Sequence, residues 1–374
     1  MATEKKQSFL GGAAVLAFGI VAVKIIGAVF KIPLRNILGE GGSADFSNAY
    51  NIYATLLTIS TAGLPVALSK LVSESYALGR TRQAHRTFRV SLSVFLVLGV
   101  ASFALMWWGS DLLAGFLNNP RAAYGIRALA PAVVCVGCLS AFRGYAQGRQ
   151  YMMPTAVSQI IEALCKLVLG LALSMWLLHI GQPDYIAAAG AIAGVTAGTI
   201  LSLVYMAIDY LRHRPALRRG ESCASDRAIL RRLLALAIPI TLSSSMVSLI
   251  TLIDTKLVQG RLQDALGYTL DQMRAAYGNY SACMDLYNLP SSLMVALTAS
   301  VIPAVSAAVT QRDRRQSARI VRSSLRVTAL LAFPMGLGLW ALSDPLFRLF
   351  YRSYNAAKLL TECIRIDLRF DLFA

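Results

Sequence analysis

Five stretches of this chain, residues 46–69, 90–110, 185–208, 233–253 and 286–311, each run for more than 20 residues without Asp, Glu, Lys or Arg. A helix rising 1.5 Å per residue needs about 20 residues to cross roughly 30 Å of hydrocarbon, so each stretch is long enough to span a bilayer. Shorter apolar stretches at 7–23, 128–142, 167–183 and 327–343 have an ionisable residue at or near one end. All are continuously apolar rather than alternating, which predicts membrane helices and not barrel strands. Only 15% of residues are charged and 56% are hydrophobic, whereas soluble domains carry about a quarter charged residues. The expected fold is all-α: an integral membrane bundle of about nine transmembrane helices.

The formal net charge of +17 raises the question of nucleic acid, and its distribution answers it. With Lys5 and Lys6 in the cytoplasm, 22 of the 36 basic residues fall in loops on that side, among them Arg80, Arg82, Arg86, Arg218, Arg231, Arg232, Arg315 and Arg322. The opposite loops up to the eighth span hold only Arg35, Arg121, Arg127, Lys256, Arg261 and Arg274. This is the positive-inside asymmetry. It predicts a multi-pass protein of the bacterial cytoplasmic membrane with a cytoplasmic N-terminus, in contact with membrane lipids and not with nucleic acid. The opening MATEKKQSFLGG lacks a small-residue cleavage site and leads into Lys24, so it reads as an uncleaved first span.

Cys135 and Cys138 form a single C-x-x-C inside an apolar span, with neither a second pair nor a histidine cluster near it in sequence. Small residues at a helix contact are the expected role, and neither a metal nor a cofactor is expected. No G-x-x-x-x-G-K-[ST] motif is present, so ATP is not the expected direct drive.

Sliding the chain against itself by 233 positions aligns residues 86–113 with 319–346 without a gap, with ten identities in 28 positions, including Arg86/Arg319, Trp107/Trp340 and Asp111/Asp344. Both copies begin on a basic helix end on the same side, so the repeats run parallel, an architecture that places a substrate path between two bundles. The expected domains are a first lobe at 1–228 with helices 1–6 and a partial second lobe at 229–374 with helices 7–9 and an atypical tail. A second six-helix copy would extend past residue 374, so the second lobe is expected to be incomplete.

The segment RGYAQGRQYMMPTAVSQIIEALCKL (143–167) resembles the signature between the fourth and fifth helices of the SpoVB/YtgP group. FKIPLRNILGEGGSADFSNAYNIYATL (30–56) and YNLPSSLMVALTASVIPAVSAAV (287–309) are similar to its helix 1–2 and helix 8 regions. That group belongs to the MATE-like MOP flippase superfamily, alongside MurJ-type lipid II flippases. The resemblance extends to about residue 355. It implies two lobes around a V-shaped central cavity and export of undecaprenyl-linked cell-wall precursors. It also implies cavity-facing cations at Lys24 and Lys31 and an acid, Asp45, opening helix 2. In helix 8, where Gram-negative members carry an arginine, this sequence has Asp285, which suits the Gram-positive branch.

Lys24 and Lys31 are seven apart and share one face of helix 1, which Arg35 continues. A column of cations suits a diphosphate; snorkelling of Lys31 and Arg35 to the interface is the alternative. Asn48, Asn51 and Tyr53 lie beside Asp45 and are candidates for sugar hydrogen bonds. Glu162 and Lys166, spaced i, i+4, form either an internal ion pair or a coupling site. Asp254 and Asp285 are candidates for a coupling cation, for pairing with a helix 1 lysine or for the membrane boundary. Kinks are expected at Gly63-Leu64-Pro65 and Ile302-Pro303.

These features predict a non-enzymatic flippase moving an undecaprenyl-diphosphate-linked precursor by alternating access, with lipid-linked oligosaccharide as substrate and cell-wall synthesis proteins as candidate partners. The competing readings are a cation-coupled multidrug exporter and an inactive shortened flippase homologue. A membrane glycosyltransferase is disfavoured, because the long outer loop offers only Asp264 and Asp271.

Overall fold

The computed structural model describes residues 9–213, 224–288 and 314–351, and every element among them is helical. The first helix, α1 (Phe9–Thr61), is folded in two at Gly39, whose φ of 67° and ψ of −169° leave the helical range. Only a residue without Cβ adopts that conformation at low cost. The two legs lie side by side, with the Phe30 and Phe46 rings 6.0 Å apart. Along one straight helix those residues would be about 24 Å apart. A break at Ala62 and Gly63 precedes α2 (Leu64–Ala77), with Pro65 in its first turn, where the missing N–H costs no hydrogen bond. Thus the expected kink at Gly63-Leu64-Pro65 is present, while Ile302-Pro303 lies outside the described residues.

The chain continues through α3 (Thr81–Trp108), α4 (Ser110–Phe116), α5 (Ala122–Gly148), α6 (Met153–His179), α7 (Asp184–Arg212) and α8 (Asp226–Asp264). Next come α9, described over 270–288, then α10 (Arg314–Ala341) and α11 (Ser343–Phe350). Among the described residues six helices, α3, α5, α6, α7, α8 and α10, are long and apolar enough to cross a membrane. Large apolar side chains such as Trp108 (76% exposed) stay uncovered, as a lipid-facing surface allows.

The internal repeat is also a repeat of helix ends. Thr81 plus 233 is Arg314 and Trp108 plus 233 is Ala341, so α3 falls onto α10 end for end. Ser110–Phe116 falls within the short α11 by the same shift. Inside the first repeat, α6 and α7 approach closely where Gly194 faces the backbone of Gly170, the small-residue packing typical of membrane helices. One apolar core joins α1, α5 and α7 around Phe30, Ile126, Leu129 and Ile192. A second joins α2, α3, α5 and α8 around Leu68, Phe95 and Leu233. Cys135 and Cys138 are free thiols.

One expected boundary shifts in a way that matters. The eighth charge-free stretch begins at 286, but α9 is already helical from residue 270. Asp271 and Arg274 therefore belong to a helix and not to a loop, because each finds an oppositely charged partner there.

Candidate functional site

α1, α8 and α9 enclose a cavity of about 210 Å³. Its walls carry Lys31 and Arg35 from the first leg of α1, Tyr50 and Asn51 from the second, Asp254 from α8 and Asp285 from α9. Lys31 Nζ donates to Asp285 Oδ1 at 2.5 Å. Arg35, 8% exposed, donates to the Gly278 carbonyl at 2.5 Å and to Asn279 Oδ1 at 3.1 Å, and its guanidinium lies 5.1 Å from the Tyr351 ring centre. Burial pushes the Tyr351 phenol, beyond the last helix, up to about 12. Asp254 accepts from the Tyr280 hydroxyl at 2.8 Å. The walls therefore hold two cations and two carboxylates, a balanced set where sequence spacing pointed to a column of cations. Lys24, two turns from Lys31 on the same face, is exposed and is not among the cavity-lining residues.

A buried ion network lies beside the Gly39 corner of α1, next to Gly41. Arg274 is 3% exposed and Asp45 2%. Two of the arginine's nitrogens reach Asp45, with Nε donating to Oδ1 at 3.1 Å and Nη2 making a closer contact to Oδ2. Nη2 also donates to Asp184 Oδ2 at 2.7 Å, and Nη1 to Asp271 Oδ1 at 3.0 Å. Asn119 adds a bond to Asp45 at 2.8 Å, and Arg121 reaches Asp271 at 2.7 Å. Removing one partner of such a buried pair costs about 3–5 kcal/mol, because the other charge is left unpaired. The network ties α1, α7 and the turn before α5 to α9. At the opposite end, Arg86–Asp226 and Arg232–Glu74 join the same repeats across exposed surface, where ion pairs contribute little.

This geometry corrects two expectations. Arg274, assigned to a loop by the topology reading, lies on α9, the helix of the eighth span. Asp45 and Asn48 are also occupied. Asn48, fully buried, exchanges amide hydrogen bonds with Gln259 at 3.1 and 2.7 Å. Asn51 lines the cavity, yet its amide donates to Thr255 at 3.1 Å and to Tyr277 at 3.3 Å. With Ser248 donating to Thr58 (3.1 Å) and Gly63 N to Thr241 (3.1 Å), these bonds form a polar seam between the second leg of α1 and α8. The signal for it was present in the sequence. Thr241, Ser245, Ser248, Thr255 and Gln259 recur at helical spacing along α8.

α6 also departs from the expected pairing. Glu162 accepts from Arg143 Nη2 of α5 at 2.9 Å, while Arg143 Nε donates to Ser158 at 2.9 Å. The planar guanidinium serves the two acceptors from a fixed fork of N–H groups. Lys166 instead lies 4.9 Å from the centre of the Phe30 ring and 5.2 Å from that of Tyr50. It sits thirteen residues from either end of α6, at mid-span. Cation–π contacts return about 0.5–2 kcal/mol, less than the roughly 2.5–3.5 kcal/mol that a charged side chain costs at a bilayer centre. Among the described residues, no group of three or more His, Cys, Asp or Glu side chains converges on a metal-sized site.

A helical membrane protein with an internal repeat and a charged cavity lined by α1, α8 and α9 is of the transporter-fold class. The sequence profile described as polysaccharide biosynthesis protein matches residues 9–309, and the chain belongs to that family. The uncharacterized membrane protein YabM of Bacillus subtilis (strain 168) is 27% identical over 344 residues, covering 91% of this chain and 64% of that protein. The lipid II flippase MurJ of the same organism is 27% identical over 389 residues, 98% of this chain and 71% of that protein. This chain thus spans less than two thirds of the length of the first relative. A MOP superfamily transporter from Pyrococcus furiosus has the same fold, with a TM-score of 0.70 at 14% identity, over 98% of this chain and 81% of that one.

Proposed function

We propose that this chain is a flippase that carries an undecaprenyl-diphosphate-linked cell-wall precursor, lipid II or a related polysaccharide intermediate, across the bacterial cytoplasmic membrane by alternating access. The observation that carries this reading is the asymmetry of the ion pairs that join the two repeats: a buried Asp45–Arg274 network at one end, exposed Arg86–Asp226 and Arg232–Glu74 pairs at the other. With the basic loops in the cytoplasm, the buried network lies at the outer end, and the resting protein admits substrate from the inside. The two units that rock are residues 1–228 and 229–374. The polar seam of α1 and α8 supports such motion, because hydroxyl and amide groups that pair when the seam is shut accept water when it opens. Membership of the polysaccharide biosynthesis family and the likeness to a lipid II flippase support the substrate class. Lys24, on the exposed face of α1, draws the diphosphate toward the cavity. Lys31 and Arg35 hold the cavity walls through their own partners, and the isoprenoid tail stays in lipid. The protein makes and breaks no covalent bond in this scheme.

A cation-coupled multidrug exporter is the second reading, favoured by the pairing of Asp254 and Asp285 with the Tyr50, Tyr277 and Tyr280 rings in one cavity. Proteoliposomes containing the chain and fluorescent lipid II separate the two. The flippase reading expects lipid II to move across the bilayer faster than in protein-free vesicles, and Asp45→Asn to alter the rate. Ethidium transport with no lipid II movement would establish the second reading instead, and movement of neither would mark a chain without transport activity.

A further inference from the structure

The cavity walls leave no surplus charge for an anionic guest. Lys31 is met by Asp285 at 2.5 Å, Arg35 is spent on a carbonyl and an amide oxygen, and Asp254 adds a second carboxylate. A phosphoryl headgroup therefore needs a cation from beyond the wall. The Tyr50 ring is part of that wall, and the Lys166 ammonium, itself not among the lining groups, lies over the Tyr50 and Phe30 rings. The nearest acid on its own helix, Glu162, is committed to Arg143 of α5 at 2.9 Å. Among the described residues no carboxylate lies within ion-pair distance of Lys166, so ring faces alone hold a mid-span ammonium. That is a poised cation: it is retained without being neutralised, one aromatic ring from the cavity.

We propose that Lys166 is the phosphoryl-reading cation of the central cavity, held over the Tyr50 ring until an anionic headgroup draws it forward. This rests on the flippase reading and adds the residue that selects the headgroup. A quarter-turn of the Tyr50 ring opens the way, and the four-carbon stem of the lysine supplies the reach. The ligand chemistry is a diphosphate, either esterified to an isoprenoid or free, and the ammonium donates hydrogen bonds to its non-bridging oxygens. Lys31 remains bound to Asp285, so discrimination between a diphosphate and an uncharged headgroup falls to Lys166.

The purified chain in detergent is titrated with farnesyl diphosphate, inorganic pyrophosphate and farnesol. Lys166 of the unaltered protein is acetylated in parallel, and its modification rate is read by mass spectrometry with and without each probe. Lys166→Gln is expected to weaken farnesyl diphosphate binding about ten- to a hundredfold, as loss of a charged hydrogen bond does. Lys166→Arg is expected to retain most of the binding, farnesol is expected to be indifferent to both, and only the diphosphates are expected to change the acetylation rate. Lys166-dependent binding of pyrophosphate without preference for the ester supports the cation's role and assigns the source to free diphosphate. Wild-type affinity in Lys166→Gln, or an acetylation rate unmoved by a bound diphosphate, overturns the inference and leaves the flippase reading standing. Failure of the unaltered chain to bind either diphosphate removes both. Should Lys166→Gln fail to fold, acetylation of the unaltered protein decides alone.

Discussion

Asp45 and Arg274, 229 positions apart in the chain, meet as a doubly bonded ion pair with almost no solvent access. One residue opens the second leg of α1 and the other opens α9, so the pair joins corresponding ends of two repeats. Its neighbours Asp184, Asp271 and Asn119 satisfy the remaining hydrogen-bonding groups. This is the condition under which a buried ion pair holds together rather than costing stability.

Arg274→Met is expected to destabilise the protein by about 3–5 kcal/mol, because Asp45 is left charged and buried. The double variant Arg274→Met/Asp45→Asn is expected to recover much of that loss. Thermal unfolding in detergent checks both, and equal losses in the single and double variants would show that the pair carries no coupling.

Lys31→Met behaves differently. The Lys31 and Asp285 side chains are 45% and 34% exposed, so solvent screens the pair and its loss is expected to cost under about 1 kcal/mol. Transport of lipid II is nevertheless expected to fall, as it is for Lys24→Ala, with expression unchanged. Unaltered growth of a flippase-depleted strain carrying either variant would remove that face of α1 from the mechanism.

Gly278→Ala is expected to unsettle the crossing of α9 over the Gly39 corner. A Cβ at Gly278 would stand 2.0 Å from the Glu40 carbonyl oxygen, and Gly278 also supplies the carbonyl that receives Arg35. Overpacking of this kind costs about 1–3 kcal/mol. Gly27→Ala, where a Cβ meets nothing within 4 Å, is the control. It is expected to be neutral or to gain up to about 1 kcal/mol of helix propensity. A melting-temperature comparison reads both.

Cysteines replacing Arg82 and Leu266, both exposed, are expected to react with membrane-impermeant maleimide from opposite faces, the first from the cytoplasm and the second from outside. Labelling from the same face would reverse or break the proposed topology.

Much of the bundle was legible from the chain because a hydrocarbon solvent imposes a simple rule: no charge within a span unless something receives it. That rule located α3, α5, α7 and α8, and the 233-residue repeat read from the chain extends in the structure to the ends of α3 and α10. It failed at the start of α9, where Asp271 and Arg274 broke the apolar stretch without breaking the helix. Hydropathy registers a charge but not its partner, and the partner here is Asp45, most of the chain away. Glu162 and Lys166 show the same blindness at short range. Their spacing is right for a pair, yet Arg143 of the neighbouring helix offers the carboxylate a better-shaped donor.

The order of residues by itself determined that this protein lives in a membrane, that it is helical and that it is built from a repeated unit, because each follows from local runs of side chains and the backbone's need to bond to itself in lipid. Which cations stand free and which are neutralised was decided only when the helices packed. Electrostatic partnership depends on distances of a few ångströms between groups that the linear chain holds far apart.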